Sequence, residues 1–326
     1  MFRPLLAATA LTAALPAHAE PPRVVADIAP VHSLVAQVMA GLGTPDLLVE
    51  PGGDVHHLAL RPSVARTLEE AQLIVQVGPE LTPWLVTPLE RLDDGATVLT
   101  LLDSPGWEPR QIDGEADDAH DEHEAHDTHD DHDEHDEHQA HEDHEAADHD
   151  GHAHEGLDPH AWLDPRGAAA WVEAIRAALA EADPGNADAY ARNAAAATDR
   201  LAALEDEISR RLLDLPTGGW IAPHEAFGYF EERFAFPSVG AVSDVEDAAP
   251  GPAHLSHLRG MIADGTARCV LSGPGGDTRP AEMLVRGSDA RTGTVDETGA
   301  GLEPGPDLYD ALLTGIADSL EGCLAP

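Results

Sequence analysis

The sequence predicts an α/β fold of two lobes, each a mainly parallel four-stranded sheet with flanking helices, joined by one long rigid helix. Three observations carry this expectation. Short apolar runs alternate with helix-length segments in both halves of the chain. One low-complexity insertion, residues 113–156, interrupts that rhythm in the first half. Between the halves, apolar and small residues recur at spacings of three and four from Tyr190 to Leu212, with nothing to break a helix for about seven turns.

In chain order, residues 1–19 have the make-up of a cleavable secretory signal. Arg3 is the positive end, 5–15 the apolar run, and Ala17-His18-Ala19 the cleavage site, so the mature chain begins near Glu20. The apolar run is too short to span a bilayer, and no later stretch is long enough. No Cys follows the signal to carry a lipid anchor. The expectation is a soluble exported protein of the periplasm.

The first lobe, 20–185, opens with a strand at 24–29 (VVADIA) and a helix from Pro30 to about Gly41. A second strand at 47–50 runs into the turn PGGD. Ser63 is placed to cap a helix that ends at Glu70. A fully buried third strand, 73–77 (LIVQV), a helix over 81–92 and a fourth strand at 98–102 complete the set. Order resumes after the insertion at 157–165 (LDPHAWLDP), with a helix over 167–181. Asp183-Pro184 reads as a cap with proline in the first turn of the linking helix, 186–213.

The second lobe, 214–326, repeats the pattern. Strands are expected at 219–223, 237–242, 267–272 and 294–296, and helices at 225–234, 252–264, 278–286 and 307–321. Cys269 and Cys323 are the two cysteines. An exported chain meets an oxidising compartment, so they are expected to pair, which stabilises by about 4 kcal/mol in the chain-entropy model.

Composition points to cations. The formal net charge is −43 over 326 residues, which disfavours nucleic acid and anionic membrane as partners. With the 20 carboxylates of 113–155 set aside, the remainder still carries −23. The insertion places His120, His123, His126, His129, His132, His135, His138, His141 and His144 at every third position, followed by His149, His152 and His154. Imidazole suits zinc, copper and nickel, and the carboxylates add charge attraction. Low apolar content and close like charges make this a long, mobile loop rather than a helix, and an accessory zinc-binding segment.

Outside the signal and the insertion stand His32, His56, His57, His160, His224, His254 and His257. A tight metal site needs three or four donors from separate elements, and in open α/β sheets ligands gather beyond the carboxyl ends of strands. His56 follows the second strand, His160 opens a helix, and His224 directly follows a strand. Asp296 ends the last strand and offers an oxygen. His254 and His257 read as a surface pair and His32 as a polar residue at a helix start. His57 reads as a neighbour of His56 that points away or supports it.

Five stretches carry a resemblance: HHLALRPS at 56–63, LIVQVGPELTPWL at 73–85, DPHAWLDP at 158–165, APHEAFGYFEERF at 222–234 and GTVDETG at 293–299. Together they make the chain similar to ZnuA-type zinc-binding proteins, the periplasmic receptors of ABC zinc importers. The resemblance covers nearly the whole mature chain. It implies metal held in the cleft between two lobes by His56, His160 and His224. It maps the fourth position onto Asp296, a ligand in some relatives and replaced by water or another carboxylate in others. The His-rich insertion and the C-terminal Cys pair are also like ZnuA.

The expected function is therefore capture of Zn²⁺ and delivery to an ABC importer permease, by a monomer with no enzymatic activity. A periplasmic zinc chaperone is a further expected partner. Three neutral imidazoles favour zinc over the mixed His and carboxylate sets of manganese and iron receptors. A manganese receptor is the alternative within the class. A zinc hydrolase and a free metal buffer are the alternatives outside it, the hydrolase disfavoured because the chain has no H-E-x-x-H.

Overall fold

The first sheet grows outward from two buried strands. β1 (Val24–Ala26) and β3 (Leu73–Gln76) are adjacent and parallel, and every residue of both is buried. β2 (Asp46–Leu47) joins the outer side of β1, and β4 (Thr97–Thr100) that of β3. The order is β2-β1-β3-β4, all parallel. In this computed structural model the described residues are 20–92, 95–112, 156–216, 219–243 and 250–325. The signal segment 1–19 and the histidines from His120 to His154 lie outside them.

Proline starts the helices of this half. α1 (Ala29–Val38), α2 (Pro62–Glu70) and α3 (Pro83–Glu90) each carry one in the first turn, where the missing N–H costs no hydrogen bond. This corrects the capping role expected for Ser63. Pro62 begins α2, and the residue before it, Arg61, makes no side-chain cap. All ten residues of α1 are buried, so this helix is core rather than cover.

A two-residue antiparallel pair, β5 (Gln111–Ile112) with β6 (Gly156–Leu157), closes the base of the insertion. A single 3-10 turn (Ala161–Leu163) leads into α4 (Pro165–Ala182), capped by the Asp164 side chain. α5 (Ala187–Leu213) follows with 27 residues, a length of about 40 Å. Its buried residues are Tyr190, Ala194, Ala197, Leu201, Leu204, Ile208 and Leu212, the seven positions that the spacing selects. The helix starts later than Asp183-Pro184 implies, because Pro184–Asn186 form a separate 3-10 turn. Asp183 instead accepts from Asn186 Nδ2 and the Tyr190 hydroxyl.

The second half rebuilds the first topology. Its sheet runs β10-β9-β7-β8, all parallel, from β7 (Trp220–His224), β8 (Ala241–Ser243), β9 (Cys269–Ser272) and β10 (Arg291–Thr294). The helices are α6 (Gly228–Phe234), α7 (Pro252–Ala263), α8 (Arg279–Val285) and α9 (Leu308–Leu324). The last strand stops at Thr294, so Asp296 lies two residues beyond it, in the following turn.

α5 is not a free-standing strut. It packs along α4 and against α1 and α9. α9 in turn crosses back to the first half, where the Tyr309 N–H donates to Ser33 Oγ at 3.0 Å and the Tyr309 hydroxyl to the Trp162 carbonyl at 2.6 Å. One continuous apolar cluster therefore runs from Val24 through Trp162 and Tyr190 to Leu271 and Leu320. Cys269 and Cys323 form a disulfide that fastens β9 to α9. No helix among the described residues is long and apolar enough to cross a membrane.

Candidate metal centre

Each of the three histidines is delivered by a different local device. His56 sits in the loop after β2. Asp54 Oδ1 accepts from the backbone N–H of His56 at 2.8 Å and of His57 at 3.0 Å, which fixes the turn. Val55 between them is buried, and its carbonyl accepts the Trp84 indole N–H at 2.9 Å. The backbone on both sides of His56 is thereby anchored.

His160 follows Asp158-Pro159. The Asp158 carboxylate is wholly buried and accepts both the His160 backbone N–H (3.0 Å) and ring Nδ1 (2.8 Å). A carboxylate at Nδ1 holds the proton there and leaves the Nε2 lone pair for a metal. Burial works to raise the Asp158 carboxyl; the hydrogen bonds from His160, and then the charge of Arg110, outweigh it and hold it below the ordinary carboxylate range.

His224 is the last residue of β7, opposite Ser243 of β8. It is buried, as is His160. The sheet reverses its strand order between β7 and β9, so His224 projects from the carboxyl end at that crevice, where such sheets bind ligands.

These devices bring the three rings together. Ring centroids lie 6.1 Å apart for His56 and His160, and 5.9 Å apart for His160 and His224. A zinc ion bound to imidazole nitrogen at about 2.0 Å lies about 3.2 Å from the ring centre, so two rings on one tetrahedral ion stand about 5.2 Å apart. Both separations exceed that spacing by about 1 Å or less. The rings converge without closing: among the described residues no three His, Cys, Asp or Glu side chains already form a cage for a metal.

Asp296 is placed differently. Its Oδ1 accepts from the N–H groups of Thr298, Gly299 and Ala300 at 3.1, 2.7 and 3.0 Å, and Oδ2 from Gly301 at 3.0 Å. That carboxylate organises the turn 296–301. The turn presents Glu297, a buried acid, to a cavity of about 430 Å³ that is also lined by Asp54, His224, Ser243 and Ser272. The backbone carbonyl of Glu297 accepts the Trp162 indole N–H at 2.7 Å, two residues from His160. Sequence reasoning missed Glu297, because a residue past a strand end has no alternation to assign its face. It also passed over Asp158, although an Asp two residues before a ligand His was a usable signal.

Of the other described histidines, His57 lies beside the centre, with its ring centroid 6.4 Å from that of His56. His57 exposes 85% of its side chain and its Nδ1 lies 3.2 Å from Asp54 Oδ2. Ring nitrogens of His32 and His254 bond the carbonyls of Pro45 and Ala241.

The whole chain can now be set beside known proteins. Residues 24–323 match the family model described as zinc-uptake complex component A, periplasmic, ZnuA. The chain belongs to the ZnuA family. The high-affinity zinc uptake system protein ZnuA of Paracoccus denitrificans is 45% identical over 99% of both chains. That of Brucella suis is 39% identical over 93% of this chain and 91% of its own. Among solved structures, the Mn-bound periplasmic metal-binding protein of Candidatus Liberibacter asiaticus superposes with a TM-score of 0.68 at 20% identity, covering 92% of this chain and 99% of its own. A mutant structure of the laminin-binding adhesin Lmb of Streptococcus agalactiae gives 0.71 at 17% identity, covering 93% and 99%. At those identities the ZnuA-family chain shares their fold, and the likeness goes no further.

Proposed function

We propose that this chain is the periplasmic zinc-binding receptor of a zinc uptake system, in which His56, His160 and His224 capture Zn²⁺ and present it to an ABC importer permease. The observation that carries the reading is the approach of three imidazoles from three separate parts of the chain, with the rings of His56 and His224 each about 6 Å from that of His160. Membership of a zinc-uptake family over residues 24–323 supports it. Three neutral nitrogens suit zinc, and Asp158 supplies the carboxylate that orients the middle one. Water completes the tetrahedron in this reading, because Asp296 is engaged by four amides.

The segments 20–185 and 214–326 act as the two lobes, with 186–213 holding their spacing. The signal 1–19 exports the chain, and the histidines of the insertion add weaker zinc sites outside the cleft. The chain binds and releases without chemical turnover.

Competition against a chromophoric zinc chelator tests the site. His56→Ala, His160→Ala and His224→Ala are each expected to weaken the tightest zinc by about a hundredfold or more, since each removes a direct ligand where outer partners alone cost 10–100-fold. An unchanged affinity in any one variant removes that residue from the site.

A further inference from the structure

We propose that Arg110 is a positioning residue of the metal centre, setting the orientation of His160 and tying it to the seating of helix α6. The proposal rests on the reading of His160 as a zinc ligand. Arg110 lies at the base of the insertion, directly before β5, and far from the ligands in sequence.

Its contacts converge on one carboxylate and one helix. Arg110 Nη1 donates to Asp158 Oδ2 at 3.1 Å, while Asp158 Oδ1 holds His160 Nδ1 at 2.8 Å. The two oxygens of a fully buried carboxylate are thus divided between the guanidinium and the imidazole. Arg110 Nε donates to Glu232 at 2.9 Å. The Arg110 backbone N–H donates to the Tyr229 hydroxyl at 2.8 Å, which donates onward to the Asp158 carbonyl at 3.2 Å. The Asp158 N–H closes the set on the Arg110 carbonyl at 2.9 Å.

Glycine makes the seat. A Cβ on Gly228 would stand 2.4 Å from Arg110 Cζ and 2.5 Å from Nη1, so the guanidinium lies directly against the backbone where α6 begins. Gly228, Tyr229 and Glu232 are all in α6, the helix that directly follows His224. A planar fork suits this place and a point charge does not, because two carboxylates must be met at once. Freed from Arg110, the Asp158 carboxylate has one oxygen buried without its cation. It then swings or takes up water, and the ring it holds swings with it. The orientation of one ligand is in this way conditional on the docking of the helix that follows another.

The test is a double-mutant cycle in the full-length mature chain, with zinc affinity read by chelator competition and the Co²⁺-loaded visible spectrum as the signature of ligand geometry. Arg110→Ala and Gly228→Ala are each expected to weaken zinc about tenfold, the scale of outer-ligand partners, and to alter the Co²⁺ bands. The double variant is expected to be no weaker than either single, because Gly228→Ala acts only by unseating Arg110. If Arg110→Ala does not fold, Arg110→Lys keeps a charge beside Asp158, loses the second arm and is expected to show the same loss in part. Wild-type affinity and spectrum in the Arg110 and Gly228 variants overturn the proposal, as do losses that add in the double. His160→Ala separates the two levels. If it loses zinc while the others do not, only the role of Arg110 falls. If it keeps zinc, the ligand reading falls and this proposal with it.

Discussion

Asp296 shows how a carboxylate organises the turn beside the candidate metal centre. Three backbone N–H groups converge on its Oδ1 and one on its Oδ2, so most of its accepting capacity goes to the turn. Asp296→Asn replaces one acceptor oxygen by a donor and sets it against those amides. It is expected to cost about 1–3 kcal/mol of stability, read by urea denaturation, and to change zinc affinity less than threefold. A loss of tenfold or more would return Asp296 to the coordination sphere. At this scale the approach of His56, His160 and His224 was legible because each follows a strand or opens a helix. Asp158, two residues before His160, carried a local signal, whereas the role of Arg110 did not, since it depends on contacts between residues as far apart as Arg110 and Glu232.

Among elements, the long helix was the most legible. Seven buried positions at helical spacing leave one solution for its inner face. The pair β5 and β6 was illegible, because two residues per strand show no period. The last strand was shifted, since only burial from above separates its exposed residues Arg291, Thr292 and Thr294 from loop. β1 carries a less visible feature at its end. Asp27 is wholly buried between β1 and β3, and accepts the N–H groups of Val77 at 2.7 Å and Ile28 at 2.8 Å. Burial pushes its carboxyl up to about 7, against the pull of those amides. A folded value above the unfolded one, about 3.9, means that its stabilising contribution is complete below about pH 4. That contribution is lost as pH rises through about 7. Asp27→Asn cannot ionise. Urea midpoints measured from pH 4 to 8 are therefore expected to fall with pH more in the wild type than in the variant. Parallel profiles would show that Asp27 ionises alike in both states.

For the whole molecule, a single frame holds both sheets and the paired base of the insertion. The frame is one continuous core reinforced by α9 and the disulfide. The segment 113–155 enters and leaves through β5 and β6, whose backbones are hydrogen-bonded neighbours. Replacing it with a linker of about ten residues shortens the closed loop roughly fourfold, which is expected to raise stability by about 1 kcal/mol. The tight zinc site is expected to survive and the total number of bound zinc ions to fall, as counted by equilibrium dialysis. Loss of the tight site would make the segment part of it. The charge of the whole chain was legible from composition alone, and so was its preference for cations.

The paired base at β5 and β6 has a practical consequence. Adjacent strands hold their ends about 5 Å apart, the spacing at which a peptide of almost any length can leave a surface and return. The molecule thus carries a built-in graft port four residues before His160. A peptide tag, a fluorophore pair or a different metal-binding sequence inserted there reports from the edge of the cleft without rebuilding the frame. The same port would let zinc occupancy be read in a living periplasm from a single encoded chain.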